Sequence, residues 1–138
     1  MLNFNDRFGR HASRRLKQEK VIWLTTVDRE NMPQPRPVWF HWDGETLLIF
    51  SEPDKAKLRH IQRNSRVALN FNTGEDGGDV VVLLGDAEVL SEPPQNRLAS
   101  YIRKYAEGIE SLGMTKEQFR STYSTAVLVT PQSMRGFM

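Results

Sequence analysis

The sequence predicts one small antiparallel β-barrel with peripheral helices. About six segments rich in β-branched and aromatic residues are bounded by turn signals, and three to four amphipathic segments lie among them. The connections are mostly of the hairpin type. Both the βαβ alternation and the Gly-x-Gly-x-x-Gly fingerprint of a Rossmann fold are missing. With 138 residues, the chain is long enough to form a single domain over residues 1–138 with a core of its own.

The composition narrows the class of protein. Hydrophobic residues make up 38% and charged residues 26% of the chain, which is typical of a globular domain. The absence of cysteine excludes disulfides, thiolate metal sites and cysteine nucleophiles. No apolar run has the length of a signal or membrane-spanning segment, so we expect a cytoplasmic protein without membrane insertion. A net charge of +2 does not indicate nucleic-acid binding, although residues 1–69 hold 13 Lys and Arg against 8 Asp and Glu.

A helix and a strand are predicted before the first proline. Apolar residues recur at every fourth position, at Phe8, Ala12 and Leu16, among several arginines, which is typical of an amphipathic helix. The run from Val21 to Val27 is rich in β-branched and aromatic residues and ends at a polar turn over residues 28–31. This run is therefore predicted to be a strand.

Three prolines at alternate positions, Pro33, Pro35 and Pro37, mark the next strand. Alternate backbone N–H groups of a strand point to the same side, so three hydrogen-bond donors are missing along one edge. We therefore expect this segment at a sheet edge or a split, with the amides of residues 38–41 as ligand contacts. An edge strand protected against aggregation explains the same prolines. The two interpretations are compatible.

The remaining elements follow from turn residues and periodicity. Asp43-Gly44 predicts a tight hairpin turn before a buried strand at Thr46–Phe50. Gly85 predicts a bulge, or a close approach of another backbone, within a long strand at Val80–Leu90. The other predicted elements are a strand at Arg66–Phe71, a helix from Pro93 and Pro94 to about Tyr105, a short helix near Lys116–Tyr123, and a strand at Thr125–Pro131.

A further helix is predicted over residues 51–64, and the charges in its first turn are unusual. Ser51 and Asp54 have the spacing of a capping box, with Asp in place of Glu. Helix N-termini carry a partial positive charge and favour acidic residues, yet this turn continues with Lys55 and Lys57. The pattern predicts either a phosphate or carboxylate site at the start of the helix or a solvated basic helix face.

Few side chains suit catalysis. The three histidines form none of the usual metal-binding spacings, so no dedicated metal site is predicted. His41 is predicted to lie on the same strand as the three prolines, where it serves as an acid or base or simply packs against its neighbours. The aromatic residues Trp39, Phe40 and Trp42 form either a pocket for a flat ligand or part of the core. From the residues alone, an anion site beside aromatic residues suits a phosphorylated planar cofactor without identifying it.

Several segments, taken in order, carry a resemblance to a known family. They are VIWLTTVD, Pro33–Phe40 with Trp42-Asp43-Gly44, Ser51–His60, RVALNF, GGDVVVLLGDAEV and Arg135-Gly136. On these segments the chain resembles the pyridoxamine 5′-phosphate oxidase-like flavin/deazaflavin oxidoreductases, and in particular their F420-dependent subgroup. The resemblance implies a split β-barrel, mainly β with about six antiparallel strands. It also implies a homodimer with two cofactor sites at the interface, each built from both subunits.

The resemblance further implies which residues hold the cofactor. The basic residues that bind the family's phosphate group correspond to Lys55, Ala56 and Lys57, with Arg59 beside them. The ring system lies along the second strand, which corresponds to Gln34, the backbone of Val38, Trp39 and Phe40, and nearby Ser51. The glycine-rich turn that approaches from the partner subunit corresponds to Gly77, Gly78 and Asp79.

The resemblance implies hydride transfer between F420 and a small electron-poor substrate, with Arg36 or His41 as the proton donor. FMN is the alternative cofactor, because Lys55 and Lys57 suit either phosphate. Vitamin B6 chemistry is disfavoured, since the additional arginine- and histidine-bearing substrate motifs of longer pyridoxamine phosphate oxidases are not found. The third alternative is a non-catalytic cofactor- or haem-binding protein, with His41 or His60 as a single axial ligand.

Overall fold

The computed structural model describes residues 2–138, which form five helices around one curled antiparallel sheet of seven strands. The helices are α1 (Arg7–Gln18), α2 (Ala56–Arg63), α3 (Gln95–Lys104), α4 (Ala106–Ser111) and α5 (Lys116–Thr122). The strands are β1 (Ile22–Val27), β2 (Pro33–Val38), β3 (His41–Trp42), β4 (Leu47–Ser51), β5 (Arg66–Asn70), β6 (Val80–Leu90) and β7 (Thr125–Phe137). Within this range, none of the helices is long and apolar enough to cross a bilayer.

The sheet is a barrel that does not close. Its strand order is β2-β1-β5-β6-β7-β4-β3, so β2 and β3 occupy opposite edges although they are consecutive in the chain. Only Trp39 and Phe40 connect them. Because so short a link spans no more than about 10 Å, the sheet must curl until its two edges meet. The predicted split β-barrel is confirmed, and the gap lies between β2 and β3.

The prolines explain why the gap stays open. The only strand paired with β2 is β1, in a register that places Pro33, Pro35 and Pro37 opposite Val27, Thr25 and Trp23. Since a proline cannot donate to a ladder, the residues between them make the bonds to β1 and the prolines face the open edge. The sequence predicted about six strands and the structure has seven, because the segment predicted as one strand divides at Trp39–Phe40.

Two other expectations are corrected. The predicted capping box is wrong: Ser51 is the last residue of β4, its hydroxyl donates to the Glu52 carbonyl (2.8 Å), and Asp54 has φ +70°. A helix cannot pass through that left-handed conformation, so α2 begins at Ala56. The last strand also continues past Pro131 to Phe137, because β6 is long enough to pair with it over this distance.

The predicted close approach at Gly85 is confirmed, and the extra residue of the bulge beside it, Gln132, lies in β7. The register between β6 and β7 shifts between Leu84 and Gly85. A Cβ atom at Gly85 would lie 2.3 Å from the carbonyl oxygen of Thr130, so no other residue fits without moving the backbone.

Two hydrophobic clusters hold the fold together. The first fills the concave side of the sheet, where Leu24, Leu69 and Leu83 pack with Ala12 and Leu16 of α1 and are at most 1% exposed. The second lies where α3, α4 and α5 cover β4, and its members include Leu48, Phe50, Tyr101, Ile109 and Phe119. The helices after β6 are therefore a covering layer beside the barrel gap.

Two side chains at the end of α3, Lys104 and Tyr105, form hydrogen bonds with the backbone groups at the gap. The Tyr105 hydroxyl accepts a hydrogen bond from the Phe40 amide (2.8 Å) and lies 2.8–2.9 Å from the carbonyl oxygens of Lys20 and Phe40. The Lys104 ammonium also donates to the Phe40 carbonyl (2.9 Å). These bonds take the place of β-ladder hydrogen bonds, which the backbone of Phe40 cannot form beside the proline edge of β2.

A buried arginine attaches α3 to the β3–β4 hairpin. Arg97 donates to the His41 carbonyl (2.8 Å) and to the Thr46 hydroxyl (2.6 Å), and it forms an ion pair with Asp43 (3.2 Å). Its Nε also donates to Nδ1 of His41 (3.2 Å). Because the side chain of Arg97 is only 10% exposed, these partners are needed to offset its desolvation.

The substitution Tyr105→Phe tests the role of the hydroxyl at the gap. It leaves the Phe40 amide buried without an acceptor, so the free energy of unfolding should fall by about 1–3 kcal/mol in urea denaturation. Tyr123→Phe is the matched control, since no hydrogen bond is found for its half-buried hydroxyl within residues 2–138, and its effect should stay within about 0.5 kcal/mol. Equal losses for the two variants would contradict the assignment.

Candidate functional site

A cleft with a volume of about 250 Å³ opens between the barrel gap and the covering helices. Strands β2 and β4, the first residue of the β2–β3 link, the start of α2 and the segment from α3 to the end of α5 all contribute to its wall. The lining residues are Pro37, Val38, Trp39, Phe50, Lys57, Tyr101, Leu112, Phe119 and Tyr123. We refer to this feature as the aromatic cleft.

The aromatic side chains of the cleft hold one another in place. The Trp39 ring stacks on Tyr105 with a centroid distance of 4.5 Å and an interplanar angle of 2°. A Cβ atom at Gly108 would lie 2.9 Å from the Trp39 ring, so only glycine allows α4 to come this close. Phe119 and Tyr123 form a second stacked pair, with centroids 4.7 Å apart. The result is a rigid, flat-sided wall suited to a planar ligand.

Lys57 is the only cation among the residues that line the cleft. It is half-buried, and its pKa is lowered mainly by that burial and further by repulsion from Lys55 and Arg36, while Glu52 opposes the shift. A partly desolvated ammonium with cationic neighbours has excess positive potential around it. An anion bound there would relieve the repulsion and restore the pKa.

The start of α2 strengthens the same potential. Its N-cap residue, Lys55, makes no side-chain cap, and the first turn contains no acidic residue. In α1, by contrast, the Asp6 carboxylate accepts a 2.6 Å hydrogen bond from the amide of Gly9. The first amides of α2, at Ala56 and Lys57, therefore remain for an external anion.

The other two basic residues of this region have partners within the chain. The exposed Lys55 ammonium forms an ion pair with Glu52 at 3.1 Å. Arg59 donates to the Asp54 carbonyl at 2.9 Å. Of the predicted phosphate ligands, Lys57 is thus the one that the fold places at the mouth of the aromatic cleft.

The structure brings together some of the predicted ring contacts and not others. Val38 and Trp39 line the cleft, whereas Gln34 donates to Asp28 (3.0 Å) in the turn between β1 and β2. Ser51 is buried and bonds to its neighbouring carbonyl. Phe40 is fully buried and its amide donates to Tyr105, so its predicted contact through a free amide does not hold.

His41 and Asp79 lie away from the cleft lining. Burial lowers the pKa of His41, and Arg97 and Lys104 lower it further, so this imidazole is neutral at physiological pH. It borders a different hollow, beside Trp42. Asp79 is bound by His11 (2.8 Å) and Arg15 (3.3 Å) of α1. The role of Gly78 and Asp79 in a partner's site stays a prediction.

Sequence reasoning missed the wall that the covering helices supply. The sequence predicts the helices that contain Tyr101, Phe119 and Tyr123 but gives none of these side chains a role in a site. The available signal was spacing, since Tyr101 and Tyr105, like Phe119 and Tyr123, are four residues apart and share one helix face. Among the described residues, no group of three or more His, Asp or Glu side chains is arranged to hold a metal ion.

A comparison with family models and a comparison with curated proteins point to the same family. The family model described as pyridoxamine 5′-phosphate oxidase matches residues 9–136. A pyridoxine/pyridoxamine 5′-phosphate oxidase of Proteus mirabilis is 27% identical over 116 residues, which cover 76% of this chain and 53% of that protein. The chain thus spans only about half the length of this relative.

Solved structures with the same fold have several described functions. A Listeria innocua structure described as a putative pyridoxamine 5′-phosphate oxidase has a TM-score of 0.72 and 19% identity, covering 91% of this chain and 94% of that one. A structure described as an F420 reductase has a TM-score of 0.68 and 20% identity, with coverage of 87% and 92%. The haem storage protein HutZ of Vibrio cholerae has a TM-score of 0.66 and 14% identity, with 94% of each chain covered. At these identities the likeness shows the fold.

The charge environment of Lys57 can be tested without any ligand. Lys55→Ala and Arg36→Ala each remove a repulsive neighbour, so each should raise the pKa of Lys57 toward its ordinary value. Glu52→Gln should lower it further. Titration of the labelled Lys57 side chain by NMR measures these shifts, with Arg14→Ala on the exposed face of α1 as the control. No change in any of the three variants would contradict this account of the site.

Proposed function

Because this chain belongs to the pyridoxamine 5′-phosphate oxidase family, we propose that it is an oxidoreductase that binds a phosphorylated deazaflavin or flavin. The cofactor is F420, and the substrate is a small, electron-poor organic molecule. The observation that carries the proposal is the position of Lys57, at the uncapped start of α2 and at the mouth of the aromatic cleft. This arrangement joins an anion site to a flat apolar site, as a phosphorylated ring requires.

Each part of the site has a separate task. Lys57 and the first amides of α2 bind the phosphate, and Trp39 with the other aromatic side chains orients the ring and excludes water. When bound, the cofactor supplies hydride chemistry. Arg36 is exposed near Lys57, so it is assigned the stabilisation of negative charge on the bound ligand rather than proton donation. His41 borders another hollow and is not assigned a catalytic role.

FMN is the second candidate cofactor, because its phosphate meets the same ligands and its ring is also flat. Haem binding is less well supported, since no histidine lines the aromatic cleft. His41 and His60 are held by Arg97 (3.2 Å) and Thr26 (2.9 Å) respectively, each through Nδ1. Neither is placed to ligate a metal in the cleft.

We further propose that the functional unit is a homodimer formed through the convex face of the sheet. Two adjacent cross-strand rows on this face carry half-buried apolar residues, Trp23 with Val82 and Ala68 with Leu84, none of which belongs to either hydrophobic cluster. The cleft of a single chain also falls below the roughly 300–1,000 Å³ usual for ligand pockets. A second subunit would supply the missing wall.

The cofactor proposal is tested by equilibrium titration of F420, FMN and haem, each followed by fluorescence quenching or absorbance. F420 should bind more tightly than FMN, and haem should not bind at the cleft. Lys57→Ala should weaken F420 binding by about tenfold or more, the loss expected for a charge-assisted hydrogen bond to phosphate. Arg14→Ala, which removes one exposed charge elsewhere, should change it less than twofold by the same reasoning.

Three results of this titration argue against the proposal. Binding of none of the three cofactors would remove the basis for an enzyme of this type. A yellow protein that retains FMN through purification would favour the flavin alternative. Equal losses in Lys57→Ala and Arg14→Ala would mean that the basic start of α2 is only a charged surface.

The dimer is tested by analytical ultracentrifugation. Leu84→Arg places a charge on the convex face and should give a monomer with weakened cofactor binding, because a buried unpaired charge is costly at an interface. Met32→Arg is the control, since Met32 is 58% exposed in the turn before β2 and should leave the dimer intact. Lys57→Ala should also remain dimeric. A Leu84→Arg protein with the sedimentation of the parent would contradict the assigned face.

A further inference from the structure

A second set of basic residues lies beside the barrel gap, away from Lys57. One hollow of about 480 Å³ is bordered by Lys20, Arg103 and Lys104 together with Trp39 and Tyr105, and by one carboxylate, that of Glu107. A second hollow of about 410 Å³ shares Arg103 and Lys104 and adds Lys17, His41 and Trp42. The two hollows are neighbours that share Arg103 and Lys104 in their walls. We refer to Lys17, Lys20, Arg103 and Lys104 as the basic furrow.

The four cations of the basic furrow outnumber the carboxylates near them, which are Glu107 and Glu19. Among residues 2–138, none of the four has a carboxylate oxygen within 4 Å, whereas Arg97 and Lys55 each form an ion pair. Backbone carbonyls hold two of the ammonium groups in place, since Lys20 donates to Lys104 (2.7 Å) and Lys104 donates to Phe40 (2.9 Å). An ammonium has three donors, so each of these two retains others for a ligand.

Lys104 is half-buried in the furrow, and both its burial and its charged neighbours change its pKa. Its pKa is lowered to about 8, first by burial and then by repulsion from Lys20, while Glu19 opposes the shift. The C-terminal ends of α1 and α3 lie close to these cations and stabilise them through the helix dipole. The lowered pKa of Lys104 therefore reflects its burial first and the neighbouring charge of Lys20 second.

We propose that the basic furrow is a second anion-binding site, separate from the phosphate site at Lys57, for a small molecule with a diphosphate or polycarboxylate group. Four cations without an ion pair among residues 2–138, around two neighbouring hollows, favour a multivalent oxyanion over a single carboxylate or chloride. The hollows have the size of small-molecule pockets. The net charge is only +2, so an extended polyanion such as nucleic acid is not favoured. This site extends beyond the proposed cofactor function and does not depend on it.

Calorimetric titration with inorganic pyrophosphate tests the proposal. Lys20→Ala and Arg103→Ala are suitable variants because both side chains are exposed and their loss leaves the core intact. Each should weaken binding by about fivefold, and the double variant by more than about tenfold. Lys116→Ala removes one equally exposed positive charge from α5 and is the matched control, with a change below about twofold. Citrate at the same ionic strength shows whether the site prefers polycarboxylates to diphosphates.

A variant at the first site separates this proposal from the proposed function. Lys57→Ala should leave pyrophosphate or citrate binding at the furrow in place, even if the same variant abolishes cofactor binding. Loss of all binding in Lys57→Ala would assign the anion to the start of α2 and overturn the proposal. The proposal would also be overturned if neither pyrophosphate nor citrate binds the parent protein. The same holds if Lys20→Ala and Arg103→Ala bind pyrophosphate as tightly as Lys116→Ala does.

Discussion

The missing hydrogen-bond donors along one edge of β2 determine much of this structure. Pro33, Pro35 and Pro37 leave that edge unable to pair, so the curled sheet meets itself at β3 without closing. The chain must cross this gap at Trp39 and Phe40, where the backbone has no ladder partner. Tyr105 and Lys104 supply the bonds to Phe40, and this requirement fixes the helices after β6 beside the gap. The aromatic cleft is the space that remains between those helices and the gap.

The same arrangement explains how positive charge is distributed around the gap. On one side, α2 begins without a cap and presents Lys57 to the cleft. On the other side, α1 and α3 end close together and bring Lys20 next to Lys104. Trp39 borders both regions. A single aromatic residue at the gap therefore separates two regions of excess positive charge, one joined to an apolar cleft and one open to polar ligands.

Local signals in the sequence predicted most of the barrel but only part of the site. Prolines at alternate positions and a glycine within a strand affect the backbone at their own positions. The edge position of β2 and the irregular pairing at Gly85 could therefore be predicted. The start of α2 was not, because Asp54 adopts a left-handed conformation that a capping pattern does not reveal. The cleft wall was missed for another reason. Phe119 packs against both Trp39 and Tyr101 through contacts between segments far apart in the chain, and no spacing rule specifies those contacts.

The central claim is that a phosphorylated ring binds across the start of α2 and the aromatic cleft. A crystal structure of the protein with F420, or with FMN, tests it most directly. The account predicts a phosphate oxygen within hydrogen-bond distance of Lys57 Nζ and of the first amides of α2, and a ring packed in the aromatic cleft against Trp39. A phosphate bound elsewhere, for example in the basic furrow, with the aromatic cleft empty, would contradict the account.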